Sequence, residues 1–261
     1  MGPITFKPRD FIHLHLHSDY SLLQSTIQLK PLASRLKEFE MSACALTDYG
    51  NLFGAVSFFS EMANAGIRPI IGYEAFVASS AISEGTGGQL GSSGERPFYN
   101  LVLLARDMTG YRNLVRLASD AYTIGFHSKP RIDLEMLSEF REGLIGICGG
   151  PESALGHHLG TGRDEKAVEY AGSLKEILGA CSLYLELLDH GLEEQSELNQ
   201  KLVRLAKQLD LPLVATNDAK YLDEADARAH EVMLCIGEGR PVIAGGRPRT
   251  GTTKQYFRTA E

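Results

Sequence analysis

The chain has 261 residues, of which 43% are hydrophobic, and a formal net charge of -7. That length accommodates one barrel-sized domain or two smaller ones, and no apolar run approaches the roughly 20 residues needed to cross a bilayer as a helix. The acidic balance excludes a strong independent grip on a phosphate backbone, which needs clustered Lys and Arg, so at most weak DNA binding is expected. The start, Met1-Gly2-Pro3, shows no basic-then-apolar leader pattern, and a cytoplasmic protein is expected. Cys44, Cys148, Cys181 and Cys235 are far apart and form no paired metal or redox spacing, which predicts buried, reduced thiols.

The first element is the most informative. Phe11-Ile12 leads into His13-Leu14-His15-Leu16-His17, and strict alternation in a strand would send three imidazoles to one face and Leu14 and Leu16 to the other. Neutral imidazole is a ligand for zinc, manganese or iron, and histidines at i and i+2 on a strand end can reach one metal cluster. Residues 29–40 place Leu29, Leu32, Ala33, Leu36 and Phe39 at helical spacing, which predicts an amphipathic helix. The run at 43–47 reads as a buried strand that ends in the polar loop Asp48-Tyr49-Gly50-Asn51. The pattern then repeats, with a helix at 54–65 and a strand at 67–77 carrying Glu74 in its second half.

Further strands are predicted at 100–104, 144–148, 183–187 and 213–216, and helices at 111–121, 165–178 and 193–209. In the last helix Leu198, Leu202, Leu205 and Leu209 form an apolar stripe. This alternation predicts an α/β fold with a mainly parallel sheet, closed into a barrel, with no two-domain break. Residues 83–95 are rich in Gly and Ser, lack phosphate-loop spacing, and read as a surface loop. His157-His158 reads as a surface turn, and His127 and His190 as loop residues.

Reactive groups in β/α barrels sit where strands run out into loops, and here that set is His15, His17, Asp48, Glu74 and the pair Asn217-Asp218. Asp at a strand end is more often a helix cap or turn former than a ligand. Together, however, histidines and carboxylates on one rim suit a hydrolytic metal cluster. His13, Asp19 and Asp48 remain open as extra donors, with His13 better placed as a hydrogen-bonded core histidine.

His15-Leu16-His17-Ser18, Leu46-Thr47-Asp48-Tyr49-Gly50, Gly72-Tyr73-Glu74 and Thr216-Asn217-Asp218 resemble, in order and spacing, the motifs of the PHP (polymerase and histidinol phosphatase) domain family. More narrowly, the chain resembles the N-terminal PHP domain of the alpha subunit of bacterial C-family replicative polymerases, DNA polymerase III. The flanking words Asn51-Leu52-Phe53-Gly54, Tyr184-Leu185-Glu186-Leu187 and Ala229-His230-Glu231-Val232 are typical of that branch. The resemblance implies a distorted seven-stranded β/α barrel with a metal cluster, over residues 1–239. Residues 240–261 would begin the connection towards the polymerase core, so the chain is expected to be an excised domain.

Active members of the family are metal-dependent phosphoesterases, and some polymerase-linked ones are 3'-5' exonucleases. By the resemblance, His15, His17, Glu74 and Asp218 occupy metal-ligand positions. At the others, Gln24 stands for Asp, Tyr49 and Asn100 for His, Gly150 for Cys or His, and Lys220 for His. Neutral amides, a missing side chain and an ammonium are poor substitutes for metal ligands. No bound cofactor is therefore expected, and zinc or manganese would be the metal if one binds. Lys220 is expected to reach into the old site and pair with Glu74 or Asp218.

The function that follows is a non-catalytic, structural or partner-binding domain of a replicative polymerase, a nucleotidyltransferase of DNA replication. Its partners would be the remainder of the alpha chain and a proofreading or clamp subunit. The alternative is an active phosphoesterase or exonuclease, so whether this piece is an enzyme stays open.

Overall fold

The computed structural model describes residues 11–82, 96–242 and 250–259. The Gly- and Ser-rich stretch at 83–95 lies outside them. The strands are β1 (Ala43–Leu46), β2 (Arg68–Ala78), β3 (Phe98–Ala105), β4 (Arg131–Ile132), β5 (Leu144–Cys148), β6 (Leu183–Leu188) and β7 (Leu213–Thr216). They form one sheet in the order β1-β2-β3-β5-β6-β7, with β4 paired to β2. The helices are α1 (Leu29–Glu38), α2 (Ala55–Ala65), α3 (Met108–Thr123), α4 (Leu134–Glu139), α5 (Ala154–Gly160), α6 (Asp164–Leu178), α7 (Glu193–Leu209) and α8 (Ala227–Gly237).

The helices follow their apolar stripes. In α1 the buried residues are Leu29, Leu32, Ala33 and Leu36, and Arg35 and Lys37 in the last turn complement the helix dipole. In α7 the first turn carries Glu193 and Glu194, the last carries Lys207, and Leu198, Leu202, Leu205 and Ala206 face inward. Strand β3 shows the other period: Leu101 and Leu103 pack against the outer helices, while Val102 and Leu104 face the inside of the curled sheet. That inside layer also holds Ala45, Ile147 and, at its margin, Leu14, Ile70, Tyr184 and Val214.

The sheet is mixed, with four parallel pairings and two antiparallel ones. β1 and β2, β2 and β4, β5 and β6, and β6 and β7 pair in parallel. β3 runs antiparallel to both β2 and β5. Consecutive antiparallel strands such as β2 and β3 need no helical crossover, and periodicity along one strand says nothing about its direction.

The histidine stretch departs from a regular strand. It makes isolated parallel bridges, His13 to Cys44 and Leu16 to Ala219, with a bend at His15. Ala45 N donates to His13 O, Thr47 N to Leu16 O and His17 N to Ala219 O, so the segment closes the gap between β1 and the residues after β7. The bend breaks the alternation. Leu14 borders the inside layer, whereas Leu16 lies in the outer cluster with Leu32, Leu36, Phe58 and Met62. His13 is buried as expected of a core histidine, but on the outer side, stacked 4.1 Å from Phe257 with its Nε2–H on Arg258 O. Only His15 and His17 reach the site.

Residues 250–259 run along the closing seam. Lys220 N donates to Gln255 O, Phe257 N to Tyr221 O and Asn217 Nδ2 to Tyr256 O, and Phe257 is buried in the cluster beneath α1 and α2. Two local expectations also change. His157 and His158 lie in α5, which the Ser153 side chain caps by accepting from Gly156 N, and His158 is buried rather than in a surface turn. Cys181 is exposed, while Cys44, Cys148 and Cys235 are buried free thiols.

Candidate metal centre

His15 and His17 enter the site from the closing segment, Glu74 from the middle of β2, and Asp218 from the turn after β7. Asp218 sits at φ 44°, a left-handed conformation that a short polar residue tolerates, and this swings its carboxylate back over the barrel end. His15 Nε2 lies 3.1 Å from Glu74 Oε2 and 3.5 Å from Asp218 Oδ1. His17 Nε2 lies 3.0 Å from Glu74 Oε2 and 3.1 Å from Asp218 Oδ1. The four residues expected as retained ligands therefore converge.

The contacts around His17 are close without being hydrogen bonds. His17 Nε2 and Asp218 Oδ1 are both buried and neither has a well-directed hydrogen-bond partner. Ligand atoms about 2.0–2.1 Å from a tetrahedral ion stand about 3.3 Å from one another. The four separations quoted bracket that value. One donor atom each from His15, His17 and Asp218 forms a cluster compact enough for an ion, and Glu74 Oε2 touches both imidazoles. His15, His17 and Asp218 fit one cation, with Glu74 beside the two imidazoles.

Behind the donors stands a supporting layer. His15 Nδ1–H donates to Glu186 Oε1 at 2.7 Å, and Glu186 also accepts from Thr216 Oγ1 and from Gly150 N at 3.2 Å. A ligand histidine whose other nitrogen donates to a carboxylate is held in one tautomer and orientation. Burial opposes a charge on His15, but Glu186, Glu74 and Asp218 together raise its pKa well above the usual histidine range. Burial likewise raises the Glu74 carboxyl, yet the two histidines hold it down at about 2. For Asp218 burial is outweighed by Lys220 and His15, and its pKa falls well below the ordinary value.

The expected replacements take up distinct places. Lys220 Nζ pairs with Asp218 Oδ2 at 3.1 Å, the oxygen turned away from the histidines, and Gln255 Nε2 donates to the same atom at 3.1 Å. Its ammonium also lies 5.5 Å from the Tyr49 ring centre. Tyr49 stacks on His17 with ring centres 4.1 Å apart. A Cβ at Gly150 would stand 3.0 Å from Glu186 Oε2, so the Glu186 carboxylate borders the room a side chain there would use. Gln24 takes part through its backbone, its carbonyl accepting from His230 Nε2.

Other candidates from the sequence do not join the donors. Asp19 is exposed. The Asp48 carboxylate accepts from Ser18 N, Ser18 Oγ and Ser21 Oγ. Asn217 turns its amide to Tyr256 O, and its carbonyl accepts from His190 Nε2. His127 is exposed. The residue that motif reading overlooked is Glu186, visible above only as part of a family phrase. The signal was available, since a lone carboxylate in the apolar strand Leu183–Leu188 has to be paired when it is buried.

Two spaces meet at the site. A small cavity of about 40 Å³ is lined by His15, Glu74, Glu186, Asp218, Tyr49 and Asn100. A cleft of about 540 Å³ lies outside it, lined among others by Tyr49, Asn100, Phe76, Phe98, Lys129 and Lys220. Tyr49, Asn100 and Glu152 line both.

The arrangement defines a class: a curled β/α barrel with a histidine and carboxylate centre of metal-binding type at one end. Residues 13–190 match the family described as the PHP domain, and the chain belongs to that family. It is 38% identical over 258 residues to DNA polymerase III subunit alpha of Borreliella burgdorferi, covering 99% of this chain and 22% of that one. To the Thermus aquaticus subunit of the same name it is 41% identical over 253 residues, covering 96% of this chain and 20% of that one. The chain thus spans about a fifth of the length of these relatives. Among solved structures, an amidohydrolase from Chromobacterium violaceum, with bound sulfate and no metal, superposes with a TM-score of 0.51 at 14% identity. That match covers 80% of this chain and 87% of the other, and shows the shared fold. No helix among the described residues is long and apolar enough to cross a membrane.

Proposed function

We propose that this chain is the PHP portion of a bacterial replicative polymerase alpha subunit, and that it serves that subunit as a structural domain built around a single-cation seat. His15, His17, Glu74 and Asp218 would hold one zinc or manganese ion, whose contribution is a cross-link between the closing segment, β2 and the end of β7. The remaining alpha chain is the partner this reading requires. A proofreading or clamp subunit would be a further one, acting from the same cytoplasmic location.

One observation carries the non-catalytic reading. His15, Glu74 and Asp218 line a cavity of about 40 Å³ bordered by Tyr49, Asn100 and Glu152, which has room for an ion and a water but none for a phosphodiester. A two-metal hydrolase sets its ions about 3.5–4 Å apart to stabilise the attacking and leaving oxygens together. Here the side chain beyond the four donors is the Lys220 ammonium on Asp218 Oδ2, a fixed positive charge that opposes a second cation.

The test is elemental analysis of chain loaded with zinc or manganese, together with hydrolysis of a phosphodiester and of single-stranded DNA. The expected result is no more than one ion per chain and no hydrolysis above background. Two or more ions with hydrolysis abolished by His15→Ala would overturn this reading and make the domain a phosphoesterase or 3'-5' exonuclease.

A further inference from the structure

The Ser21 hydroxyl stands at a junction. Its oxygen lies 2.6 Å from Asp48 Oδ1, accepts from Tyr49 N at 3.0 Å, and lies 3.3 Å from His17 Nδ1. A hydroxyl has one proton and two lone pairs. Asp48 Oδ1 already accepts from Ser18 N at 2.7 Å and Oδ2 from Ser18 Oγ at 2.7 Å, so this carboxylate is an acceptor throughout and takes the Ser21 proton. With Tyr49 N on one lone pair, the only role left for Ser21 towards the imidazole is to accept. His17 therefore carries a hydrogen on Nδ1, which leaves Nε2 as the nitrogen turned to the cation seat. That is the same buried atom found above without a hydrogen-bond partner and close to two carboxylates.

We propose that Ser21 and Asp48 are positioning residues for the centre, a relay that holds a hydrogen on His17 Nδ1 and so keeps Nε2 turned toward the cation seat. The inference rests on the single-cation reading above and deepens it. His15 is set by a carboxylate directly, through Glu186, whereas His17 is set through an intervening hydroxyl. Stacking on Tyr49 holds the plane of the His17 ring, but a ring held only by its plane could flip and exchange its nitrogens. The hydroxyl removes that freedom. Ser21 is itself placed by the tight turn in which Gln24 N donates to Ser21 O.

The test compares the 261-residue chain with Ser21→Ala and Ser21→Thr, stripped of metal. Long-range nitrogen-proton NMR of the imidazoles reads the tautomer, and competition with a chelating dye reads zinc affinity. The native His17 is expected as the Nδ1–H form. Ser21→Ala should lose that single form and weaken zinc binding by about 10–100-fold, the range for removing an outer partner of a ligand histidine, and Ser21→Thr should restore both. Should Ser21→Ala not fold, Asp48→Asn serves: its amide can donate to Ser21, which frees the hydroxyl proton for Nδ1 and should abolish the Nδ1–H form.

A native His17 without a hydrogen on Nδ1 would overturn the relay, as would a Ser21→Ala chain that keeps both the Nδ1–H form and the affinity. If the native chain takes up no zinc, the single-cation reading fails, and the tautomer measurement still decides the relay.

Discussion

The Lys220–Asp218 pair offers the sharpest quantitative check on how the centre is held. The two charges lie 3.1 Å apart, and the side chains are only 14% and 13% exposed. At that distance Coulomb attraction is about 5 kcal/mol for an effective dielectric of 20 and about 1.3 kcal/mol for bulk water. Desolvation offsets part of the larger figure, so a coupling of about 2–3 kcal/mol is expected. It is read from urea unfolding of four metal-free proteins: native, Lys220→Met, Asp218→Asn and the double variant.

Each single variant should lose more stability than the double variant implies by addition, because each leaves one buried charge unpaired. The Asp218 pKa is depressed in the folded state, so this contribution is complete above the unfolded carboxylate range and is lost as pH falls through the lowered value. Single-variant costs that add within about 0.5 kcal/mol would refute the claim that the ammonium and carboxylate act as one unit.

Three further outcomes follow from particular contacts. Burial lowers the His13 pKa to about 4, so the unfolded chain binds a proton that the folded chain refuses between pH 6.5 and 4. About 3 kcal/mol of stability should therefore drain away as pH falls through that window, and His13→Leu, compared by urea unfolding at each pH, should show a flatter acid limb. Gly150→Ala places a methyl 3.0 Å from Glu186 Oε2 and 3.3 Å from Leu188 Cδ1, and should cost about 1–3 kcal/mol by thermal melting; an unchanged melt would mean Glu186 yields freely. Phe257 is 1% exposed, so Phe257→Ala should cost about 3–5 kcal/mol, and a chain cut after Gly239 at least as much. A cut chain as stable as the full one would support a domain limit at residue 239.

The regular elements were legible where one face alone is apolar. α7 and β7 match their predicted limits because the leucine stripe of α7 and the short apolar run of β7 are bounded by turn residues. The short α5 was misread because two histidines between glycines look like a turn, and its helix depends on Ser153 as a cap and on burial of Leu155 and Leu159. At the site, His15, His17, Glu74 and Asp218 were legible through family motifs. The bend at His15 was not, because it arises from bridging two distant strands at once, a property of closure rather than of local pattern. Ser21 and Gln255 escaped for the same reason, since their roles exist only once Asp48 and Asp218 are brought beside them.

The seam has a consequence for the order of events during synthesis. His13 meets the carbonyl of Arg258 across 245 residues, and the histidine segment must bridge to Ala219 through Leu16 and stack on Phe257 through His13 before the barrel closes. Contacts so distant along the chain form late, after the loop-closure entropy has been met. A nascent chain can build α1, α2 and the first strands as soon as they emerge from the ribosome, but His15 and His17 must wait. Capture of a cation at this centre would thus come late in folding, and the apolar flank of the histidine segment stays available to chaperones until residues 250–259 have been made.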